Sequence, residues 1–147
     1  MIYPNRLANR STMTLTAQTH PPIEQTISFF RVSDLRRTRD FYERAFGLRL
    51  VFEREGKVLI LQATGESFFG FVTGELPANQ PRMGAITLVS SDVDAWSKRL
   101  VDIGIETKGP PIFKPEFGIY ILYVTDPDGY TVEVLEMRAE GWPHKTL

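Results

Sequence analysis

The order of apolar and polar positions predicts a strand, an amphipathic helix and further strands in the first half of the chain. The run TISFFRV is apolar and extended in character. After it, residues of the predicted helix recur at helical spacing: Leu35, Thr38, Phe41, Tyr42 and Ala45. Ser33 or Asp34 is placed to cap this helix, and Gly47 to end it. Short β-rich segments separated by glycine turns then follow, as antiparallel strands do.

The same order of elements recurs in the second half. The interval from Asp34 to Asp92 matches the interval from Gly47 to Gly104 to within one residue. GAITLVS predicts a strand, and Ser91 with Asp94 resembles a helix-capping arrangement. The helix it would start has an apolar stripe formed by Val93, Trp96, Leu100 and Ile103. Three further strands are predicted, separated by the loop GPPIFKPEFG and by the Asp126–Gly129 turn: Glu106–Lys108, Ile119–Thr125 and Tyr130–Met137.

Each half therefore predicts a βαβββ unit, and neither unit has room for a large core of its own. We predict an α+β fold in which the two repeats pack together as curved mixed sheets around a central cleft. We predict a polar N-terminal extension over residues 1–22, a single domain over 23–138 and a C-terminal tail over 139–147. Within the domain, the halves 23–74 and 84–138 are joined by a Pro-containing linker, 75–83.

Composition excludes several classes of function. Seventeen basic and eighteen acidic side chains give a net charge of −1, so the chain has no overall field for nucleic acid or an anionic membrane. Arg36, Arg37 and Arg39 fit a solvated helix face. The absence of cysteine excludes disulfides, thiolate metal ligands and a cysteine nucleophile. No apolar stretch approaches the ~18 residues of a membrane span. We expect a cytoplasmic protein without nucleic-acid or membrane partners.

Two segments carry a family resemblance. RVSDLRRTRDFYERAFGLRLVF resembles the opening of vicinal oxygen chelate proteins, and VTDPDGYTVEVLEM resembles their closing strand pair. The resemblance extends from Ile23 to Met137 and implies the glyoxalase/bleomycin resistance/dioxygenase fold. That superfamily includes lyases, isomerases, oxygenases, transferases and drug-binding proteins, so the fold alone leaves the activity open. The resemblance also implies a homodimer, in which the C-terminal segment AEGWPHKTL is a candidate contact.

In metal-dependent members, the resemblance implies ligands on the first strand and the last strand of each half. The matching positions here are Ile27, Ala85, either Gly70 or Phe71, and Glu133. Only Glu133 is a metal donor, and one carboxylate lacks the three or four convergent donors that hold a catalytic ion. His20 and His144 lie in the terminal segments. We therefore predict no metal and no other cofactor.

Alternation along the strands predicts which side chains face the cleft. Phe29 and Arg31 lie on the same face of the first strand as Ile27, and Thr87 lies on the same face of its strand as Ala85. In the last strand, Leu135 shares a face with Glu133, and Glu136 lies on the opposite face. Strand register decides which of the further candidates face the cleft: Phe68, Phe69 or Phe71, and Tyr120 or Tyr123. The predicted ligand-binding residues are Phe29, Arg31, Phe71, Ala85, Thr87, Tyr120, Tyr123, Glu133 and Leu135. As alternatives, the phenylalanines belong to the sheet core, or Arg31 and Glu133 form an ion pair that closes the cleft.

An apolar, aromatic cleft with few charges is typical of a small-molecule site, and a carboxylate beside aromatic rings favours a cation. We predict binding of a small hydrophobic or aromatic molecule without a metal, as in bleomycin-resistance proteins. The alternative is a glyoxalase-like lyase or isomerase, or a dioxygenase-like enzyme. Glu133 would then be the base, with Tyr120, Tyr123 or His144 as a second proton-transfer group, or part of a non-standard metal site. A third possibility is an interaction module whose cleft is packed shut.

Overall fold

The first half of the chain folds around one capped helix. A computed structural model describes residues 20–143. The Asp34 side chain accepts a hydrogen bond from the Arg37 backbone N–H at 2.9 Å, which satisfies a free donor at the helix start. Gly47 ends the helix in the left-handed conformation, with φ of +66°. The elements are β1 (Thr26–Val32), α1 (Leu35–Phe46), β2 (Arg49–Arg54), β3 (Val58–Thr64) and β4 (Ser67–Thr73).

The second half repeats this order. Its helix is capped by Asp92, whose side chain accepts from the Ala95 backbone N–H at 3.0 Å, so the predicted cap at Ser91 is wrong by one residue. Both helices thus begin at the repeated aspartate. The elements are β5 (Ala85–Val89), α2 (Val93–Asp102), β6 (Ile112–Lys114), β7 (Ile119–Thr125) and β8 (Thr131–Met137).

Each half forms one four-stranded mixed sheet with the same topology. The first sheet has the order β1-β4-β3-β2 and the second β5-β8-β7-β6. In each, the first and last strands of the half pair in parallel, and the other pairs are antiparallel. The predicted α+β fold with two βαβββ repeats is confirmed. Strands β1 and β5 lie at sheet edges. Within residues 20–143, no helix has the length and hydrophobicity that a membrane span requires.

One predicted strand is wrong. Glu106–Lys108 contributes only a single bridge, between Thr107 and Val124. The short edge strand lies instead at Ile112–Lys114, inside the predicted loop, and pairs with β7. Pro110 and Pro111 separate the bridge from the strand, and because proline has no backbone N–H, the pairing is interrupted there.

The two halves share one apolar core on the helix-covered, or inner, faces of the sheets. Helix α1 packs on β3 and β4, and helix α2 packs on β7 and β8. Fully buried residues of both halves belong to the same cluster, including Tyr42, Phe71, Ile86, Leu100 and Leu122. The Phe71 ring stacks on the Tyr42 ring with 5.0 Å between centroids and 29° between planes. Residues of both halves therefore contribute to one core.

A buried carboxylate joins the second half to the first. Asp126 Oδ2 accepts a hydrogen bond from the Tyr42 hydroxyl at 2.8 Å. Asp126 Oδ1 accepts from the backbone N–H groups of Asp128 and Tyr130, each at 2.9 Å. The Tyr130 hydroxyl in turn donates to the Arg31 carbonyl at 2.8 Å. Burial raises the pKa of Asp126, and the hydrogen bonds that its carboxylate oxygens accept oppose that rise. The turn therefore anchors one half on the other, beyond setting strand register.

Candidate functional site

Three polar side chains form a row across the second sheet, on the outer face opposite the helices. Val132 and Val134 are buried in the core, so Glu133 between them points to the outer face. Register pairs Glu133 with Thr87 on β5 and with Tyr123 on β7. The Thr87 hydroxyl donates to Glu133 Oε2 at 2.9 Å. This polar row contains three of the residues that alternation predicted to share a face.

An apolar row lies directly beside the polar row on the same face. It consists of residues paired across four strands: Val89, Leu135, Ile121 and Ile112. Leu135 and Ile121 are only 6% and 1% exposed, although neither belongs to the core cluster of the inner faces. Val89 and Ile112 at the two ends are exposed. The outer face of the second sheet thus offers an apolar strip alongside a carboxylate, a hydroxyl and a phenol.

Lys114 belongs to this site, and the sequence pattern missed it. Its Nζ lies 5.1 Å from the centroid of the Tyr123 ring, within cation–π distance. A hydrogen bond with Tyr123 raises the pKa of Lys114, and the charges of Glu116 and Glu133 add to that rise. Because GPPIFKPEFG reads as a loop, alternation had no strand on which to place Lys114. Only β6 brings it over the second sheet.

Two of the predicted site residues face inward instead. Phe71 is fully buried in the core, so its placement on the cleft face is wrong. Tyr120 packs against the core, and its hydroxyl donates to Asp94 Oδ1 on α2 at 2.6 Å. Of the two tyrosines left open by register, Tyr123 is the one beside Glu133. Glu136 lies on the Tyr120 side of β8, as predicted, and pairs with Arg138 at 2.7 Å.

Phe29 and Arg31 lie on the outer face of the first sheet, not beside Glu133 in the second. A β-carbon at position 70 would lie 2.4 Å from carbons of the Phe29 ring, so the ring rests directly on Gly70. The Arg31 side chain covers Gly74 in the same way. Gly70 pairs with Phe29 as Glu133 pairs with Thr87, which makes Gly70 the counterpart of Glu133 in the repeat. Gly70, and not Phe71, therefore occupies the family ligand position on the last strand of the first half.

The residues at the four family ligand positions do not fit a metal ion. Ile27, Gly70 and Ala85 have no donor side chain, which leaves Glu133 alone. The Phe29 ring also covers the Gly70 position. Across residues 20–143, His, Cys, Asp and Glu side chains nowhere gather in a group of three or more that could hold an ion. His144 lies outside the described residues, so its predicted approach to the cleft stays a prediction.

In a single chain the outer faces are open to solvent at the edge strands β1 and β5. Phe29 and Val89, on the edge strands β1 and β5, are each 57% exposed, and Ile27 is 41% exposed. Within the described part of the chain, no ion pair joins Arg31 to Glu133. In a single chain, therefore, an Arg31–Glu133 ion pair does not close the cleft.

Solved structures of several bacterial proteins share this fold. A lactoylglutathione lyase from Agrobacterium tumefaciens is 24% identical, with a TM-score of 0.64 over 84% of this chain and 100% of that chain. A glyoxalase/bleomycin resistance protein/dioxygenase from Nocardioides is 19% identical, with a TM-score of 0.62 over 95% and 99%. A fosfomycin resistance protein from Mesorhizobium loti is 19% identical, with a TM-score of 0.59 over 80% and 93%.

At these identities, the structural matches establish the fold and leave the activity open. A search of curated protein sequences gave no match. The sequence model of one family matches residues 23–134, which span both repeats and every residue of the polar row. The chain belongs to the Glyoxalase/Bleomycin resistance protein/Dioxygenase superfamily.

Proposed function

We propose that the protein binds, without a metal, a small molecule that has an aromatic or apolar body and a cationic group. The observation that carries this proposal is the adjacency of two rows on the outer face of the second sheet. The apolar row offers the exposed side chains of Val89 and Ile112 to a hydrophobic body, and the polar row offers Glu133 to a cation. Apolar walls with a few placed polar groups are the usual form of a small-molecule site.

The contacts of this face support a cationic ligand. Glu133 accepts a hydrogen bond from Thr87, which orients the carboxylate on the outer face. The Lys114 ammonium already lies over the Tyr123 ring, so the face of this ring accommodates a positive group. With a net charge of −1, the chain favours a small molecule over nucleic acid as its partner.

Replacing Glu133 by glutamine should weaken the binding of a planar aromatic cation about tenfold or more, because the charge-assisted contact is lost while the shape is kept. The probes are 9-aminoacridine, a cation at pH 8, and acridine, its neutral counterpart. Isothermal titration should show that the variant loses its preference for the cation. Unchanged affinity for 9-aminoacridine would contradict the role of Glu133.

Glu136→Gln is the matched control for this experiment. Glu136 is on the same strand but on the opposite face, where it pairs with Arg138 at 2.7 Å. We expect this variant to bind 9-aminoacridine as the unchanged chain does. Equal losses in both variants would indicate a general effect of negative charge and not a site at Glu133.

A second candidate function is proton-transfer catalysis of the lyase or isomerase type. The observation that favours it is Tyr123, which pairs directly with Glu133 across β7 and β8 and supplies a second proton-transfer group next to the carboxylate. Chemical conversion of a bound compound by the unchanged chain, lost in Glu133→Gln with binding retained, would favour catalysis over binding alone.

We propose that a second copy of the chain covers the exposed edges. Strands at sheet edges carry unpaired backbone N–H and C=O groups, and apolar side chains there promote pairing with another chain. Phe29 on β1 and Val89 on β5 are such side chains. A homodimer would shield both from water and enclose the outer faces. Absence of cysteine agrees with a reducing compartment, and we propose a cytoplasmic location.

Val89→Glu should weaken self-association about tenfold or more, because the interface would then bury an unpaired carboxylate. Sedimentation velocity over a concentration series measures this effect. Val101→Glu is the matched control, since Val101 is 64% exposed on α2, away from both edge strands. A monomeric unchanged chain, or equal weakening by both substitutions, would contradict a dimer through this edge.

A further inference from the structure

We propose that the protein has a second binding site, for a neutral planar aromatic molecule, in a cavity between its two halves. This seam pocket has a volume of about 310 Å³ and lies where residues of the first sheet meet β5 and α2. Its apolar wall residues come from both halves: Phe46, Leu48, Ala63, Phe69, Leu88, Val89 and Trp96. A pocket of this size with apolar and aromatic walls is a candidate ligand site.

The walls of the seam pocket select for an aromatic ligand. Phe46 and Trp96 contribute rings whose centroids are 5.9 Å apart and whose planes are inclined at 43°, and Phe69 contributes a third ring. Aromatic rings prefer offset or edge-to-face neighbours at such distances, and a planar ligand provides them. The volume accommodates a molecule of about two fused rings, near the lower end of the usual range for ligand pockets.

The same walls select for a neutral ligand. No residue that lines the pocket, all of them in the described part of the chain, carries a charge. The indole Nε1 of Trp96 already donates to Ser90 Oγ at 3.1 Å. The other polar side chains of the lining are hydroxyls, from Thr64, Ser67 and Thr87. A charged ligand would lose part of its hydration without gaining an opposite charge, so these walls favour a neutral molecule.

The seam pocket adjoins the Glu133 site and shares residues of β5 with it. Glu133, Tyr123 and Lys114 do not line it. The two sites meet at β5, where Thr87 and Val89 line the pocket together with Leu88, and Thr87 also donates to Glu133 on the outer face. Glu133 belongs only to the cation site and Ala63 only to the seam pocket, so substitutions at these two positions test the sites separately.

Naphthalene, a neutral two-ring hydrocarbon, is the probe for this site. Trp96 lines the pocket, whereas Trp142 is 42% exposed elsewhere, so a Trp142→Phe variant leaves Trp96 as the reporter. We expect saturable quenching or a spectral shift of Trp96 fluorescence. We also expect the melting temperature to rise by roughly 3–6 °C at ten times the dissociation constant. No saturable change in either measurement would overturn the proposal.

Filling the pocket should abolish these effects. Ala63→Met places a longer side chain in the cavity and should weaken naphthalene binding at least tenfold, while leaving the affinity for 9-aminoacridine unchanged. Ala78→Met, in the exposed linker, is the matched control. If Ala63→Met does not fold, Ser67→Met tests the same wall.

Three results would overturn the proposal: equal binding by Ala63→Met or Ser67→Met, weakening by Ala78→Met, or binding that increases as the protein is diluted. The last result would mean that a second copy fills the pocket. Because naphthalene and 9-aminoacridine are measured separately, failure of the cation site leaves the result for the seam pocket intact.

Discussion

Replacing Phe71 by alanine is expected to lower the free energy of unfolding by about 3–5 kcal/mol, because the substitution opens a cavity in the shared core. The Phe71 side chain is fully buried and stacks on Tyr42. Chemical denaturation measured by circular dichroism tests this directly. A loss below about 1 kcal/mol would mean that Phe71 is not a core residue, as its predicted place in the cleft would require.

Phe29→Ala is the matched control within the first sheet. Phe29 is 57% exposed and rests on Gly70 at the edge strand. We expect its removal to cost less than about 1 kcal/mol, since most of its surface already contacts water. Phe29 and Phe71 belong to adjacent paired strands, so the contrast between them measures which face of the sheet is buried. Equal losses would contradict the assignment of faces.

Tyr42→Phe is expected to cost about 1–3 kcal/mol, because it leaves a buried Asp126 oxygen without its hydrogen-bond donor. The substitution removes one oxygen atom and keeps the ring that packs in the core. Tyr120→Phe is the control, since its hydroxyl also bonds a carboxylate, that of Asp94, but at the protein surface. We expect Tyr120→Phe to leave the free energy of unfolding nearly unchanged. Similar losses of unfolding free energy in the two variants would indicate that the buried Tyr42–Asp126 hydrogen bond stabilises the fold no more than a surface one does.

The cost of Tyr42→Phe should depend on pH. The hydrogen bond from Tyr42 lowers the pKa of Asp126, so its loss lets burial raise that pKa further. When folding raises the pKa of a carboxyl, the folded protein loses stability as the pH rises from the ordinary pKa of that carboxyl, 3.8, through its raised pKa. The deficit of the variant should therefore be larger at pH 7 than at acidic pH. Denaturation curves at both pH values measure this difference, and an equal deficit at both would contradict it.

Alternation located the candidate site wherever a strand had a single possible register. On β8, buried Val132 and Val134 flank Glu133, and the period of two is clear from the sequence alone. On β4, by contrast, the segment SFFGFVT places aromatic residues on both faces. Hydrophobicity then does not distinguish inward from outward positions, and Phe71 was assigned to the wrong face. Pairing of Phe29 with Gly70 removes that ambiguity.

The sequence by itself determined the repeat and the two helices, and its family resemblance indicated the positions where Ile27 and Ala85 replace metal donors. These features depend on local spacing and on residue chemistry, which the chain carries without folding. Only the tertiary structure decided the link between Tyr42 and Asp126, the approach of Lys114 to Tyr123, and the seam pocket. Each of these brings together residues from different strands or halves. Such contacts depend on strand register and on how the halves pack, and neither is set by local hydrophobic pattern.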